Sequence, residues 1–418
     1  MKEKKLAKVF YADLWGLRDE KYKYLFENDV GTTRWQELQP VAPYYFFVPK
    51  DFALQEQYER FWKVTEIFRR WSSGAKTRRD QFMVAFSREE LIQRLRLFVG
   101  DLPDEMLSKA LEIQDTKYWS INKAREEVRK VDFKSKIMLY AYRPFDNRFI
   151  FYFPNIIERG DAREPLMKHL FRENIAIVLT RILSQPPFKH AFVSNSISDM
   201  CLISTKTKEA SYLFPLYLYP GEPEGQLFGE GEAKAERVPN FTAEFLQAIK
   251  ESLGTEPTPE ELFYYIYAVL YSPTYRKRYQ EFLKIDFPRV PLPSDYDLFV
   301  ELSRLGEELV DLHLLKHPAL DETGIGFPKG GTNKVEKVRY DEEAQRVYFN
   351  QGQCFEGIPK EVWEYRIGAY QVMRKYLRDR RGRKLSLDEI NHYMRVAKAI
   401  RLTIELQEKI DDVYERID

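Results

Sequence analysis

The stretch Lys136-Ile137-Met138-Leu139-Tyr140-Ala141-Tyr142-Arg143-Pro144-Phe145-Asp146-Asn147-Arg148-Phe149-Ile150-Phe151-Tyr152 sets the fold class. Branched and aromatic residues fill 136–142 and 148–152, so both segments read as strands. Pro144-Phe145-Asp146 reads as a turn between them, in which Arg143 is expected to pair locally with Asp146. Similar composition predicts further strands at 176–180, 191–193 and 213–219 downstream, and at 6–12, 44–48 and 81–86 upstream.

Helical patterns alternate with these strands, at 20–28, 54–67, 88–98, 106–113 and 121–131. Thr258-Pro259-Glu260-Glu261 is a helix start: Thr258 caps, Pro259 suits the first helical position and Glu261 completes a capping box. The helix behind it, 262–271, is apolar nearly all round and so belongs in the interior. Ser272-Pro273 breaks it, and 274–283 resumes with a basic face. Trp363, Ile367, Tyr370, Met373 and Leu377 recur at helical spacing. Ser386-Leu387-Asp388-Glu389 opens a last helix that can reach Val413, on the order of 40 Å long. Residues 221–239 and 324–331 read as loops. The pattern predicts an α+β fold, a mixed-sheet domain followed by a helical C-terminal unit.

A chain of 418 residues suits about two or three domains. Its 66 Lys and Arg balance 65 Asp and Glu, so any contact with nucleic acid requires basic residues gathered on one face. Aromatic residues make up 15%, and their rings serve either core packing or base stacking. Cys201 and Cys354 are distant in sequence and no C-x-x-C occurs, which argues against a disulfide framework or zinc ribbon and for a reducing cytoplasm. No apolar run approaches the roughly 18 residues of a membrane span, and the N-terminus lacks a signal-peptide core.

Three basic clusters stand out. Between residues 60 and 79, Arg60, Lys63, Arg69, Arg70, Lys76, Arg78 and Arg79 face a single acid, Glu66, with Phe61, Trp62, Phe68 and Trp71 interleaved. Such a segment can neutralise phosphates around the flexible Ser72-Ser73-Gly74, or can be a solvated helix end whose tryptophans sit in the core. Tyr275-Arg276-Lys277-Arg278 offers the same choice between DNA and a solvated helix face. Arg374 to Lys384 is divided between helix capping and phosphate binding. Around the opening stretch, Arg148, Arg159 and Arg163, with Arg181 beyond them, add guanidinium forks suited to guanine edges and phosphates. Arg159 and Arg163 flank a glycine-containing loop and have no obvious local partner.

Catalytic patterns are weak. Ser184-Gln185-Pro186-Pro187-Phe188 approaches the motif with which base methyltransferases grip a flipped amino group, but Gln185 stands where a short acceptor is required, and no cofactor loop precedes it. Pro103-Asp104 with Asp115-Thr116-Lys117 spells a degenerate metal-nuclease pattern, on a segment that reads as helix. His313 and His317 have metal-ligand spacing but no accompanying Glu. The glycines of 324–331 lack the Lys-Ser/Thr of a phosphate cradle.

Several strings occur together in order: Tyr142-Arg143-Pro144-Phe145-Asp146-Asn147-Arg148, Arg159-Gly160-Asp161-Ala162-Arg163, Glu173-Asn174-Ile175-Ala176, His190-Ala191-Phe192-Val193-Ser194, Leu213-Phe214-Pro215-Leu216-Tyr217 and Ile285-Asp286-Phe287-Pro288-Arg289-Val290-Pro291. With Trp363-Glu364-Tyr365 and Ile367-Gly368-Ala369-Tyr370 they give a sequence that resembles the C-terminal specificity domain of type ISP restriction–modification enzymes and related adenine-specific methyltransferases. The resemblance runs from about Phe10 to the end.

It implies a division into the tail of a methyltransferase-like module (1–50), a DNA target-recognition domain (51–345) and a helical spacer or docking unit (346–418). It also implies duplex DNA as partner, with a methyltransferase module, and a helicase or nuclease module, in cis or in trans. S-adenosylmethionine would bind that methyltransferase and not this chain, which on its own is expected neither to methylate nor to cleave. Two other readings stay open: a nuclease or divergent methyltransferase using Asp104, Asp115 and Lys117 or Pro186-Pro187-Phe188, and an interaction fragment that touches no DNA.

Overall fold

The computed structural model describes residues 7–42, 45–49, 54–184, 186–206, 209–220 and 237–417. They form two compact units, Met1–Gln57 and Tyr58–Asp418. The first holds β1 (Val9–Tyr11), α1 (Arg18–Glu27) and β2 (Gln36–Leu38), with β1 and β2 antiparallel. The strand expected at 44–48 does not form at 45–49, and Tyr44 lies outside the described residues.

The second unit is built on two four-stranded sheets. Its elements begin with β3 (Trp62–Lys63), β4 (Ser72–Ser73) and β5 (Val84–Ala85). There follow α2 (Arg88–Val99), α3 (Asp104–Leu111) and α4 (Ile121–Arg129). The stretch that opened the sequence reading forms β6 (Ile137–Arg143) and β7 (Asp146–Phe151), paired antiparallel across Pro144-Phe145. Next come β8 (Ala176–Thr180), β9 (Ala191–Ser194), β10 (Ile197–Ser198) and β11 (Ser211–Pro215).

The first sheet runs β10-β6-β7-β5; β10 joins β6 in parallel and the other pairs are antiparallel, so the sheet is mixed. The second, β4-β11-β8-β9, is antiparallel throughout. Every residue of β8 and β9 is buried, which accounts for their nearly continuous apolar sequence.

Helices close the core. The Thr258 capping box forms as expected and starts α5 (Pro259–Tyr271), nine of whose residues are buried. After α6 (Pro273–Arg278) and β12 (Arg289–Val290), α5 packs along α7 (Tyr296–His313). Gly306 makes that approach possible: a Cβ there would lie 2.1 Å from the Tyr264 carbonyl oxygen. A three-stranded antiparallel sheet follows, β13 (Arg339–Asp341), β14 (Arg346–Tyr348) and β15 (Cys354–Glu356). The last helix, α8 (Leu387–Tyr414), packs on α7 and is capped by Ser386 and Glu389 as read. Between the helices, Tyr267 donates to His313 Nδ1 (2.6 Å) and His313 Nε2 meets the Thr403 hydroxyl (3.1 Å).

Two helix readings and one strand reading need correction. Residues 54–67 are two short helices, Gln55–Glu59 and Val64–Ile67, because Trp62 and Lys63 leave the helical path to pair with Val290 and Arg289. Residues 81–86 start helical and become strand only at Val84. The helical spacing from Trp363 to Leu377 is interrupted by a turn at Gly368-Ala369, with Arg366–Ile367 pairing against Tyr370–Gln371.

Candidate nucleic-acid interface

The basic segment after residue 68 runs along the edge of the second sheet. Asn240 fixes its entry: its carbonyl accepts from Arg69 N–H, and its side chain accepts from Arg70 N–H and donates to Arg70 O. The Arg69 and Arg70 side chains are exposed. Trp71 follows, 38% exposed and stacked on Phe214 at 5.8 Å. β4 then pairs with β11, and Gly74 passes so close to Asp199 that a Cβ would lie 2.6 Å from its backbone. Ala75 N–H bonds to Ser198 O and Lys76 N–H to Asp161 O, so residues 74–79 are stitched to the 158–164 loop.

Three arginines on these two loops, Arg78, Arg159 and Arg163, have left-handed backbones, with φ of 59°, 61° and 56°. For non-glycine residues this conformation costs about 1–2 kcal/mol each, and such strain collects where surrounding structure holds a functional geometry. Arg78 grips Asp161 through Nε (2.7 Å) and Nη2 (2.6 Å). Arg163 donates to Ser73 Oγ (3.0 Å), and its Nη2 lies 3.5 Å from the other Asp161 oxygen. Arg78 Nε also lies 3.7 Å from Glu158, which Arg79 approaches as well, so the four guanidinium groups of Arg78, Arg79, Arg159 and Arg163 stand against two carboxylates. Arg159 lies over the Tyr118 ring at 4.1 Å. Lys76 is half-buried beside them.

The other arginines and aromatics selected from sequence face inward. Arg79 is 4% exposed, over Trp119 at 3.9 Å and 3.8 Å from Glu158. Arg148 lies between Phe86 and Tyr142 and donates twice to Asp146. Asp146 also binds Arg380 (2.7 Å), so it does not pair with the Arg143 side chain; Arg143 turns to Asp199 (3.0 Å). Burial opposes the Asp146 charge, but Arg380 and Arg148 hold its carboxyl below the ordinary value. Tyr275 is fully buried, with its hydroxyl on Arg289 O (2.6 Å), and has no face to offer a base. Arg276 is held by Leu270 O and the Tyr271 ring, which leaves Lys277 and Arg278 as the exposed cations of that cluster. Arg181 is exposed and anchored to Asp286 (3.0 Å). Asp161 and Asn240, which organise the candidate face, had no sequence signal beyond their residue types.

The catalytic alternatives do not assemble. Asp104 pairs with Arg125 (3.1 Å), and Asp115 accepts from Ile121 N–H (2.8 Å). Among the described residues no group of three His, Cys, Asp or Glu could hold a metal. Phe188 is 1% exposed, which denies its ring to a flipped base; Gln185 lies outside the described residues. His313 is engaged with Tyr267 and Thr403, and His317 caps a short turn at Ala319 N. Gly326 exchanges backbone hydrogen bonds with Glu356. No described helix is long and apolar enough to cross a membrane.

No curated protein matched the sequence. Solved structures did. Over 96% of this chain it is similar to a nuclease-deletion mutant of the Type ISP restriction–modification enzyme LlaGI in complex with a DNA substrate mimic (TM-score 0.68, 21% identity), covering 33% of that chain. The DrdV–DNA complex gives TM-score 0.72 and 21% identity over 96% of this chain and 43% of that one. DNA-bound LlaBIII, an ATP-dependent Type ISP enzyme, gives 0.69 and 19% over 94% and 27%. The chain thus spans less than half of each of these proteins. The family profile described as the Type ISP C-terminal specificity domain matches residues 66–409, most of the chain, and the chain belongs to that family.

Proposed function

We propose that this chain recognises duplex DNA for a restriction–modification enzyme and presents a target adenine to a methyltransferase domain. That domain lies upstream in a longer polypeptide or in a partner, and would flip the adenine and methylate N6 with S-adenosylmethionine. The cofactor is assigned to that domain; in this chain Phe188 is buried, and Gly326 of the 324–331 loop exchanges backbone hydrogen bonds with Glu356. The family assignment supports the reading. The observation that carries it to particular residues is the pair of stitched loops bearing Arg78, Arg159 and Arg163, with left-handed backbones, and Lys76, whose N–H bonds to Asp161 O.

Phosphate contacts from such a face position the duplex, while base-edge contacts specify its sequence. Arg159→Ala and Arg163→Ala, assayed in the reconstituted methyltransferase, separate these roles. A base-reading arginine costs about 1–3 kcal/mol and relaxes preference at one position; a phosphate contact weakens all sequences alike. If both variants keep wild-type affinity and site preference, the assignment of this face is wrong.

A further inference from the structure

Away from the arginine loops, a cleft of about 440 Å³ opens between residues 186–190, Glu209 and the Gly368 turn. The turn is seated by glycine. Gly368 has φ of 55°, its N–H donates to Lys189 O at 2.6 Å, and a Cβ there would meet the Ile203 side chain at 2.2 Å. This close seating sets Arg366 and Lys189 along one cleft.

The floor is His190 and Glu209, 4% and 1% exposed, with His190 Nε2 3.6 Å from Glu209 Oε2. The Glu209 carboxylate is already engaged, accepting from Ser184 N–H (2.5 Å) and from the Ser204 hydroxyl. Burial, despite Glu209, pushes His190 down to about 4, so at neutral pH it is an uncharged wall.

Two of the cations above this floor, Lys189 and Arg366, lack carboxylate partners among the described residues. Lys189 is exposed and forms no ion pair, and Arg366 reaches only the Ala369 carbonyl, at 3.4 Å. Arg276, beside Phe188 at 5.8 Å, has a buried Nη2 with no hydrogen-bond partner. Burial and the neighbouring charges of Arg276 and Arg366 lower the Lys189 pKa, as expected of cations gathered without a counter-ion.

We propose that this cleft binds a phosphate group, held by Lys189 and Arg366 above the His190–Glu209 floor. A lysine point charge beside an arginine fork suits phosphate oxygens. The phosphate belongs either to a nucleic-acid backbone or to a free phosphate compound, and the chemistry of the site is the same for both.

The test uses the full chain with Lys189→Gln, Arg366→Gln and the double variant, and with Lys337→Gln as an exposed charge control. Pyrophosphate and a duplex oligonucleotide are the probes, by calorimetry and by anisotropy across a salt series. Removing each cation should weaken the bound phosphate about tenfold or more, with the control unchanged. A fall in the duplex log–log salt slope of about 0.9 per cation identifies a backbone phosphate. Loss of pyrophosphate binding with an unchanged duplex slope identifies a free compound. Arg78, Arg159 and Arg163 are untouched, so these outcomes are separate from the fate of that face. If the double variant melts lower than wild type, the two single variants decide. Variants that keep wild-type melting and bind both probes as wild type does would overturn the proposal.

Discussion

Two arginine-rich turns, at 143–148 and 159–163, look alike in sequence, yet the fold uses them in opposite ways. Around 143–148, Arg148 and Arg380 converge on Asp146, Arg143 turns to Asp199, and all five charged groups are mostly enclosed; Asp146 is 2% and Arg380 3% exposed. Around 159–163, Arg78 and Arg163 share Asp161, Arg78 and Arg79 share Glu158 at 3.7 and 3.8 Å, and Arg159 lies over the Tyr118 ring. The difference is carboxylate supply and burial, not arginine content. Charges that are matched and enclosed specify the fold, whereas charges that outnumber their partners at the surface remain available for another molecule.

The largest effect should come from breaking the enclosed set. Asp146→Ala takes the shared carboxylate from two buried guanidinium groups, leaving Arg380 with Glu389 (2.9 Å) and Arg148 with Asp379 (3.9 Å), and about 3–5 kcal/mol is the expected loss. Chemical denaturation checks it, and a loss below about 1 kcal/mol would place Asp146 with exposed ion pairs instead. Arg163→Ala reverses the profile: about 1–3 kcal/mol in duplex affinity, with a smaller change in melting than Asp146→Ala.

Acid should sharpen the contrast between core and surface. Burial pushes His169 and His190 down to about 4 and His313 down to about 3. Each is neutral when folded and ordinary when unfolded, so the stability it contributes is full above the ordinary value near 6.5 and is lost as pH falls through the folded values. Down to about pH 4, each can remove up to about 1.4 kcal/mol per pH unit. Thermal melting between pH 7 and pH 4 measures this, and His313→Gln should flatten the dependence. A melting curve independent of pH across that window would contradict the buried, neutral histidines.

The smallest effect is the most diagnostic of strain. Arg159→Gly relieves a left-handed backbone, so stability should hold or rise by about 1 kcal/mol or less, while duplex affinity falls. Denaturation and anisotropy on the same sample test it; a drop in stability without a drop in affinity would make Arg159 structural.

Much of the fold was readable because local chemistry and tertiary placement agree. The branched, aromatic runs at β6, β7 and β8 became strands within a residue or two of expectation, and the capping boxes at Thr258 and Ser386 start α5 and α8. Reading failed where distant partners decide. Trp62-Lys63 leaves a helical pattern because Arg289-Val290 pairs with it. Helix α7 went unread, and Gly306 at its middle, which argues against a helix locally, is what lets α5 approach. Residue type located the basic segments but not their exposure: Tyr275 and Arg276 carry the same signal as Lys277 and Arg278, and only packing separates them. Nor does an arginine announce a left-handed backbone; Gly160 is the one hint in the 159–163 loop.

The central claim is that Arg78, Arg159 and Arg163 form an outward DNA face, and the salt dependence of duplex binding tests it most directly. Each phosphate contact contributes about 0.9 to the log–log slope. The triple variant Arg78→Gln, Arg159→Gln, Arg163→Gln, compared with wild type at matched melting temperature, should bind more weakly with a slope shallower by up to about 2.7. An equal slope and equal affinity in a folded triple variant would contradict the account.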